Sequence, residues 1–79
     1  MHERMTSAQL RAARGLVNWT TRDLAEKTGV HRNTISAFES GKSAPNSATM
    51  QVLARALESA GVEFTNGGQP GVKLRKAST

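Results

Sequence analysis

The sequence predicts a mainly α-helical fold, with four or five short helices followed by a β-hairpin or a pair of short strands. As far as Gly61, apolar residues recur at helical spacing, and several of these segments begin with a capping residue. After Gly61 apolar and polar residues alternate, and a period of two is typical of strands. We therefore expect a helical domain over residues 1–61 and a C-terminal strand or hairpin extension over residues 62–79.

Composition limits what this domain can bind. With 79 residues the chain can form one small domain with a limited core, and without cysteine it has neither a disulfide framework nor a thiolate metal site. Eleven Lys and Arg against six Asp and Glu give a formal net charge of +5. Such a basic balance favours a polyanionic partner. Since the sequence shows no basic amphipathic helix with a bulky apolar face, we expect nucleic acid rather than a membrane.

The sequence predicts no membrane-spanning or secretory segment. No apolar segment approaches the ~18 residues that cross a membrane, and the first residues lack the apolar region of a signal peptide. We therefore expect a soluble protein of the cytoplasm.

The first helix is predicted to begin after Thr6. The Thr6 side chain can cap the helix while Gln9 reaches back to the backbone of Thr6, which is the capping-box arrangement. The helix then runs to about Val17. Asn18 can end it in the left-handed conformation that asparagine tolerates.

The second and third helices begin with different capping residues. Thr20 and Asp23 repeat the capping-box spacing at the start of the second helix. His31 stands where the third helix needs a cap, although histidine is not a preferred N-cap residue. Because a break in a local rule often marks a functional position, His31 is a candidate functional residue.

A fourth helix and two strands complete the predicted elements. Gly41 is predicted to end the third helix, and Asn46 or Ser47 to cap the fourth, which stops at Gly61. Two alternating segments follow, with a glycine-rich turn between them. The apolar residues of these segments are Val62, Phe64, Val72 and Leu74.

Residues 21–40 have the spacing of a helix-turn-helix. The small Ala25 lies four residues before Gly29, and Gly29 lies six before the apolar Ile35. Ala25 allows the two helices to cross closely, and Gly29 can take the positive φ that reverses the chain in a short turn. Such a motif places its second helix in the major groove of DNA, so the spacing predicts a DNA-binding domain.

The chain from about Gln9 to Leu57 also resembles a known family. The matching segments are Leu10 to Arg14, Trp19 to Ala25, Gly29-Val30, Thr34-Ile35, Phe38 to Lys42, Pro45, and Leu53 to Leu57. In these segments the chain resembles the phage-repressor/Cro class of helix-turn-helix regulators, the xenobiotic-response-element family. The resemblance implies a compact, repressor-like DNA-binding domain of four or five helices in a bacterial or phage protein. It also implies a homodimer that binds operator DNA and represses, or sometimes activates, transcription.

The resemblance further implies which residues read bases. In the family they lie at the cap, the first two positions and the next turn of the third helix, here His31, Arg32, Asn33, Ser36 and Ala37. The Arg32 guanidinium can bond guanine O6 and N7 together, and the Asn33 amide can pair likewise with adenine N6 and N7. Ser36 can donate or accept, and Ala37 offers only a methyl group. The alternative is a solvated helix face that reads no base.

Phosphate contacts are expected at helix starts and in the basic loop. The candidates are Thr20, Thr21, Arg22, Lys42, Ser43 and Asn46. The family usually has glutamine where this chain has Thr21, so the reach of that side chain is shorter here. The alternative for Arg22 and Lys42 is a charge that only faces solvent.

A structural pair is implied by the same resemblance. In the family, an arginine of the first helix pairs with a glutamate near the end of the third, and those residues are Arg14 and Glu39 here. Such a pair would hold the third helix against the first. The alternative role for Arg14 is a position near a phosphate.

The segment after Gly61 has two interpretations. An exposed strand edge seeks a partner, so the apolar residues Val62, Phe64, Val72 and Leu74 are candidates for contacts in a homodimer. The alternative is an intramolecular hairpin that covers the core of its own chain, or a mobile tail.

The predicted function is sequence-specific binding of double-stranded DNA by a dimeric transcriptional repressor, with the third helix in the major groove of a pseudo-palindromic operator. The alternative is a protein-interaction module of the same fold, such as an antitoxin or an antiactivator. The sequence has no metal-ligand spacing and no motif for a Ser-His-acid arrangement, so we expect no metal site, no catalytic residues and no enzyme activity. Nothing in the sequence indicates a cofactor or a small-molecule effector.

Overall fold

The computed structural model describes residues 5–65 and 70–75 of the chain. Within these residues four helices precede a two-stranded antiparallel sheet, which confirms the predicted fold class. The helices are α1 (Ser7–Val17), α2 (Thr21–Thr28), α3 (Arg32–Glu39) and α4 (Ser47–Ser59), and the strands are β1 (Val62–Thr65) and β2 (Gly71–Leu74). Most of the turn expected between the strands, and the last residues of the predicted extension, lie outside the described residues.

Local hydrogen bonds start α1 and α2 where the sequence predicts. Thr6 Oγ1 accepts from the Gln9 backbone N–H at 3.0 Å, and Gln9 Oε1 accepts from the Thr6 N–H at 2.8 Å. Thr20 and Asp23 form the same reciprocal pair at 3.0 and 2.9 Å. Asn18 follows α1 with a φ of 58°. Both capping boxes and the left-handed Asn18 are therefore confirmed.

The helices α2 and α3 form the predicted helix-turn-helix. Gly29 follows α2 with a φ of 79°, a value that costs glycine little. The two helices pack against each other, and the partly buried Ala25 contacts the core between them. The small side chain at this position permits the close crossing that the motif requires.

The ends of α3 and α4 lie at the glycines that the sequence predicts. Each helix is followed by one capping residue, Ser40 or Ala60, and then by the glycine. Gly41 and Gly61 have φ values of 80° and 107°, and each stands at the position after the cap where a left-handed residue ends a helix. Both predicted helix stops are therefore confirmed.

One apolar core joins all four helices and β1. The largest fully buried side chains are Leu10, Leu24, Ile35, Leu53, Leu57 and Val62. They come from α1, α2, α3, α4 and β1. Burial of each such side chain stabilises the fold by about 1.5–3 kcal/mol. Because Ile35 is among them, the buried side of α3 is held by the same core that holds the other helices.

The strands β1 and β2 form a hairpin within the chain. Val62 pairs with Leu74, and Phe64 pairs with Val72, in an antiparallel register. Val62 is buried, while Phe64 and Val72 are partly buried against the core. The intramolecular hairpin that we considered as an alternative is therefore present. The prediction that the same residues form a dimer contact stays untested.

The Gln9 side chain ties α1 to both strands. It is 3% exposed, and its Nε2 donates to the carbonyl oxygens of Thr65 at 3.1 Å and Gly71 at 3.0 Å. Its Oε1 accepts the capping bond from Thr6. One buried amide therefore closes the capping box of α1 and fixes the hairpin on the domain.

The capping box of α2 makes stability sensitive to acid. The Thr20 backbone N–H donates to the Asp23 carboxylate, and this hydrogen bond lowers the pKa of Asp23 below its ordinary value of 3.8. The charged carboxylate is therefore favoured in the folded state. Its stabilising contribution is complete above the pKa of the unfolded chain, and it is lost as the pH falls through the lower pKa of the folded state.

We expect Asp23→Asn to unfold at a lower temperature than the wild type at neutral pH, and to approach the wild type as the pH falls below 3.8. Asparagine keeps an oxygen that can accept from Thr20, so the comparison isolates the charge. The measurement is thermal unfolding of both proteins across this pH range. A difference in melting temperature that stays constant with pH would contradict the role of the ionised carboxylate.

Candidate nucleic-acid interface

The third helix divides into a buried side and an exposed side. Ile35, Phe38 and Glu39 are buried, at the spacing of one helix face. The exposed residues that we predicted to read bases are His31, Arg32, Asn33 and Ser36. These four side chains are therefore accessible to a ligand, while the opposite side of the helix packs in the core.

His31 closes the N-terminus of α3. Its backbone is extended, with φ −62° and ψ 138°, and its Nδ1 accepts from the backbone N–H of Asn33 at 3.0 Å. The predicted capping position is therefore confirmed, although histidine is a poor N-cap by preference. The cap leaves the exposed side chains of Arg32 and Asn33 in the first turn of the helix.

Ala37 is less exposed than the other predicted base-reading residues. It is partly buried, and its carbonyl oxygen accepts from the backbone N–H groups of Lys42 at 2.9 Å and Ser43 at 3.4 Å. The Ser40 hydroxyl donates to the same carbonyl at 3.2 Å. Ala37 therefore holds the loop after α3, and this brings two candidates for phosphate contacts against the end of the helix.

The candidates for phosphate contacts lie at helix starts and in the loop after α3. Thr21 is partly buried, and the other five candidates are exposed: Thr20, Arg22, Lys42, Ser43 and Asn46.

Two of these exposed residues cap helices. Thr20 Oγ1 accepts from the Asp23 N–H, and Asn46 Oδ1 accepts from the Thr49 N–H at 2.8 Å. Asn46, and not Ser47, is therefore the cap of α4. Because these oxygens are engaged, the Thr20 O–H and the Asn46 amide N–H are the groups that remain as donors to an anion.

Two arginines of α1 hold the C-terminal end of α3. Arg14 Nε donates to Glu39 Oε2 and Arg14 Nη2 to Glu39 Oε1, both at 2.7 Å, and the side chains are 21% and 8% exposed. The hydrogen bond to Glu39 raises the pKa of Arg14, so the guanidinium stays charged. Arg14 Nη1 donates to the Trp19 carbonyl oxygen at 2.9 Å, so all three nitrogens of the guanidinium are engaged. The structure thus brings the predicted pair together.

Arg11 belongs to the same arrangement, although we did not predict it. Its Nη1 donates to the backbone carbonyl of Glu39, at the last residue of α3. A cation at a helix C-terminus interacts favourably with the helix dipole. The spacing of the two arginines could have predicted this contact. Arg11 lies three residues before Arg14, so both side chains lie on one side of α1.

The four residues predicted to form dimer contacts differ in exposure. Val62 is buried in the core of its own chain, and Phe64 and Val72 are partly buried. Leu74 is 49% exposed and lies at the end of β2. Leu74 is therefore the apolar side chain of the four with most surface available to a second molecule.

Among residues 5–65 and 70–75 no group of three or more His, Cys, Asp or Glu side chains could hold a metal ion. In the same part of the chain, no helix is long and apolar enough to cross a membrane.

A family model described as helix-turn-helix matches residues 10–64, which is more than two thirds of the chain. The match begins in α1, contains α2, α3 and α4, and ends in β1. A search of curated proteins returns no match.

Proposed function

The chain belongs to the Cro/C1-type helix-turn-helix family of DNA-binding transcription regulators, and from this premise we propose that it binds a specific sequence of double-stranded DNA with α3 in the major groove. The observation that carries the proposal is the division of α3 into two sides. Its buried side is fixed to the core and to α1, and its exposed side carries the polar side chains of His31, Arg32, Asn33 and Ser36, which are proposed to face the DNA.

Base recognition is assigned to the first turn of α3. Arg32 supplies a planar fork that matches the O6 and N7 acceptors of guanine, and Asn33 supplies a donor and an acceptor that match adenine. Both side chains are exposed. Ser36 and Ala37, one turn later, are proposed to contact the next bases, Ser36 by a hydrogen bond and Ala37 by its methyl group.

Phosphate binding is assigned to the residues on either side of the helix-turn-helix. The Thr20 hydroxyl, Thr21 and Arg22 are proposed to bind one backbone segment, together with the free N–H groups at the start of α2. Lys42, Ser43 and Asn46 are proposed to bind another, from the loop that Ala37 holds against α3. Such contacts fix the register of the protein on the duplex and carry little sequence information.

Repression is proposed to require a homodimer. Two copies related by a two-fold axis can read two half-sites of an operator and exclude the polymerase from it. The hairpin supports this proposal, because a two-stranded sheet leaves strand edges that can pair with a second copy, and Leu74 adds exposed apolar surface beside them.

The test is selection of bound duplexes from a random pool with the full chain, at two salt concentrations. We expect an inverted repeat whose half-sites lie one helical turn, roughly 10 base pairs, or a multiple of it apart. Affinity should fall as the salt concentration rises, because bound phosphates release counterions.

Two results of the selection would contradict the proposal. Recovery of no common motif would show that the chain does not read sequence. Affinity that does not change with salt would show that phosphates are not bound. Either result would favour a protein-interaction module of the same fold, and a single half-site in place of an inverted repeat would contradict the homodimer alone.

A further inference from the structure

The imidazole of His31 uses one of its two ring nitrogens inside the protein. Nδ1 accepts from the backbone N–H of Asn33 at 3.0 Å. A neutral imidazole has one N–H donor and one acceptor nitrogen, so a ring that accepts at Nδ1 carries its hydrogen on Nε2. The cap of α3 therefore fixes the tautomer of its own capping residue.

The other nitrogen remains at the surface. His31 is exposed, and in residues 5–65 and 70–75 no hydrogen bond engages its Nε2. Arg32 and Asn33, the two strongest candidates for base contacts, follow it directly in the chain. An N–H of defined tautomer thus stands at the start of the helix proposed to enter the groove.

We infer that His31 has two separate roles, in which Nδ1 caps α3 and the Nε2–H donates a hydrogen bond to the bound DNA. The inference rests on the proposed function. It also restricts what His31 can recognise, because a donor selects acceptors. These are guanine O6 and N7, adenine N7 and thymine O4 in the major groove, or a phosphate oxygen, whereas the cytosine amino group is rejected. Asparagine and serine, the usual capping residues, would give the cap without an imidazole donor.

Two variants separate the roles. His31→Ser keeps a preferred capping oxygen but removes the imidazole, whereas His31→Ala removes both. We expect His31→Ser to melt at or above the temperature of the wild type and His31→Ala to melt below it. On the selected operator, both variants should bind about 2- to 13-fold more weakly, which is the net range of one hydrogen bond. If His31→Ser bound with the affinity of the wild type, His31 would be a cap only and the inference would be wrong.

Affinities for modified and unrelated duplexes show whether the acceptor of the Nε2–H is a base or a phosphate. If Nε2–H donates to a base, His31→Ser should lose affinity for the operator but not for duplexes changed at the contacted base pair. If the contacted acceptor is a purine N7, replacement of that purine by its 7-deaza form should weaken the wild type alone. If it donates to a phosphate, the variant should lose affinity equally for all duplexes. Equal affinities of wild type and variant for every duplex would overturn the DNA contact.

The tautomer is tested without DNA. A long-range ¹H–¹⁵N correlation spectrum of the full chain at about pH 8, where histidine is ordinarily neutral, distinguishes the two ring nitrogens. We expect the hydrogen of His31 on Nε2, and a hydrogen on Nδ1 would overturn the first role. If the spectrum showed this tautomer but the wild type bound no duplex, the proposed function would fail together with the second role, and the capping role would remain.

Discussion

Replacement of Glu39 by alanine should lower the free energy of unfolding by about 3 kcal/mol. The substitution removes two charge-assisted hydrogen bonds and leaves the Arg14 guanidinium without its counter-ion in a largely buried setting. Because the Arg14 side chain is 21% exposed, water can solvate part of the charge, and we place the loss at the lower end of the range for buried pairs. Denaturant unfolding followed by the fluorescence of Trp19, the single tryptophan, measures it.

A double variant distinguishes the unpaired charge from lost packing. Replacing both partners by apolar residues of similar size, in Arg14→Met with Glu39→Met, should recover most of the loss, because no charge is then left unpaired. The single variants Arg14→Met and Glu39→Met form a cycle with the double variant, and this cycle gives the coupling energy of the pair. Equal destabilisation in Glu39→Ala and in the double variant would show that the loss does not come from the unpaired charge of Arg14.

The orientation of α3 depends on the same pair. Glu39 is the last residue of α3, and Arg14 and Arg11 bind its side chain and its carbonyl oxygen from α1. The double variant, even if stable, lacks this directional link. We therefore expect the Arg14–Glu39 pair to set the orientation of α3 relative to α1, since hydrophobic contacts are not directional.

The second large effect is expected in DNA binding. Arg32→Ala should weaken binding to the selected operator by about 1–3 kcal/mol and relax the preference at one base pair, because the guanidinium proposed to bond guanine O6 and N7 is replaced by a methyl group. Since Arg32 is exposed, its removal should change the unfolding free energy little. Binding isotherms on the operator and on its single-base variants provide the measurement.

Two other cations serve as controls for Arg32. Lys42→Ala should weaken binding to all duplexes by a similar factor and reduce the salt slope by about one, because Lys42 is proposed to bind a phosphate. Arg55→Ala removes the same charge from the exposed surface of α4, outside the proposed interface, and should leave the base preference unchanged. If Arg32→Ala weakened binding equally for every duplex, Arg32 would be a phosphate contact and not a reader of guanine.

The local features of this fold could be predicted because their bonds join near neighbours. The Thr6–Gln9 and Thr20–Asp23 boxes and the His31 cap span two or three residues, so the chemistry of each is contained in a short window. The positive φ at Asn18 and Gly29 is likewise a property of the residue itself. The helix starts and the turn of the helix-turn-helix followed from these windows alone.

Contacts between distant residues could not be predicted in the same way. Gln9 was assigned as a capping residue, and its bonds to Thr65 and Gly71 join residues 56 and 62 positions apart. Arg11 meets the Glu39 carbonyl across 28 positions. The Arg14–Glu39 pair was expected only through the resemblance to a family. No spacing rule relates such partners, because their distance depends on how the helices pack.

The sequence by itself determined the elements of this protein and the residues on the outer side of α3, because capping, periodicity and turn conformation are set by near neighbours. Only the tertiary structure decided that the hairpin folds onto its own chain, that Gln9 fixes it there, and that Arg11 and Arg14 together hold the end of α3. The physical reason is the same in each case, since these hydrogen bonds form only once packing has brought their donors and acceptors within about 3 Å.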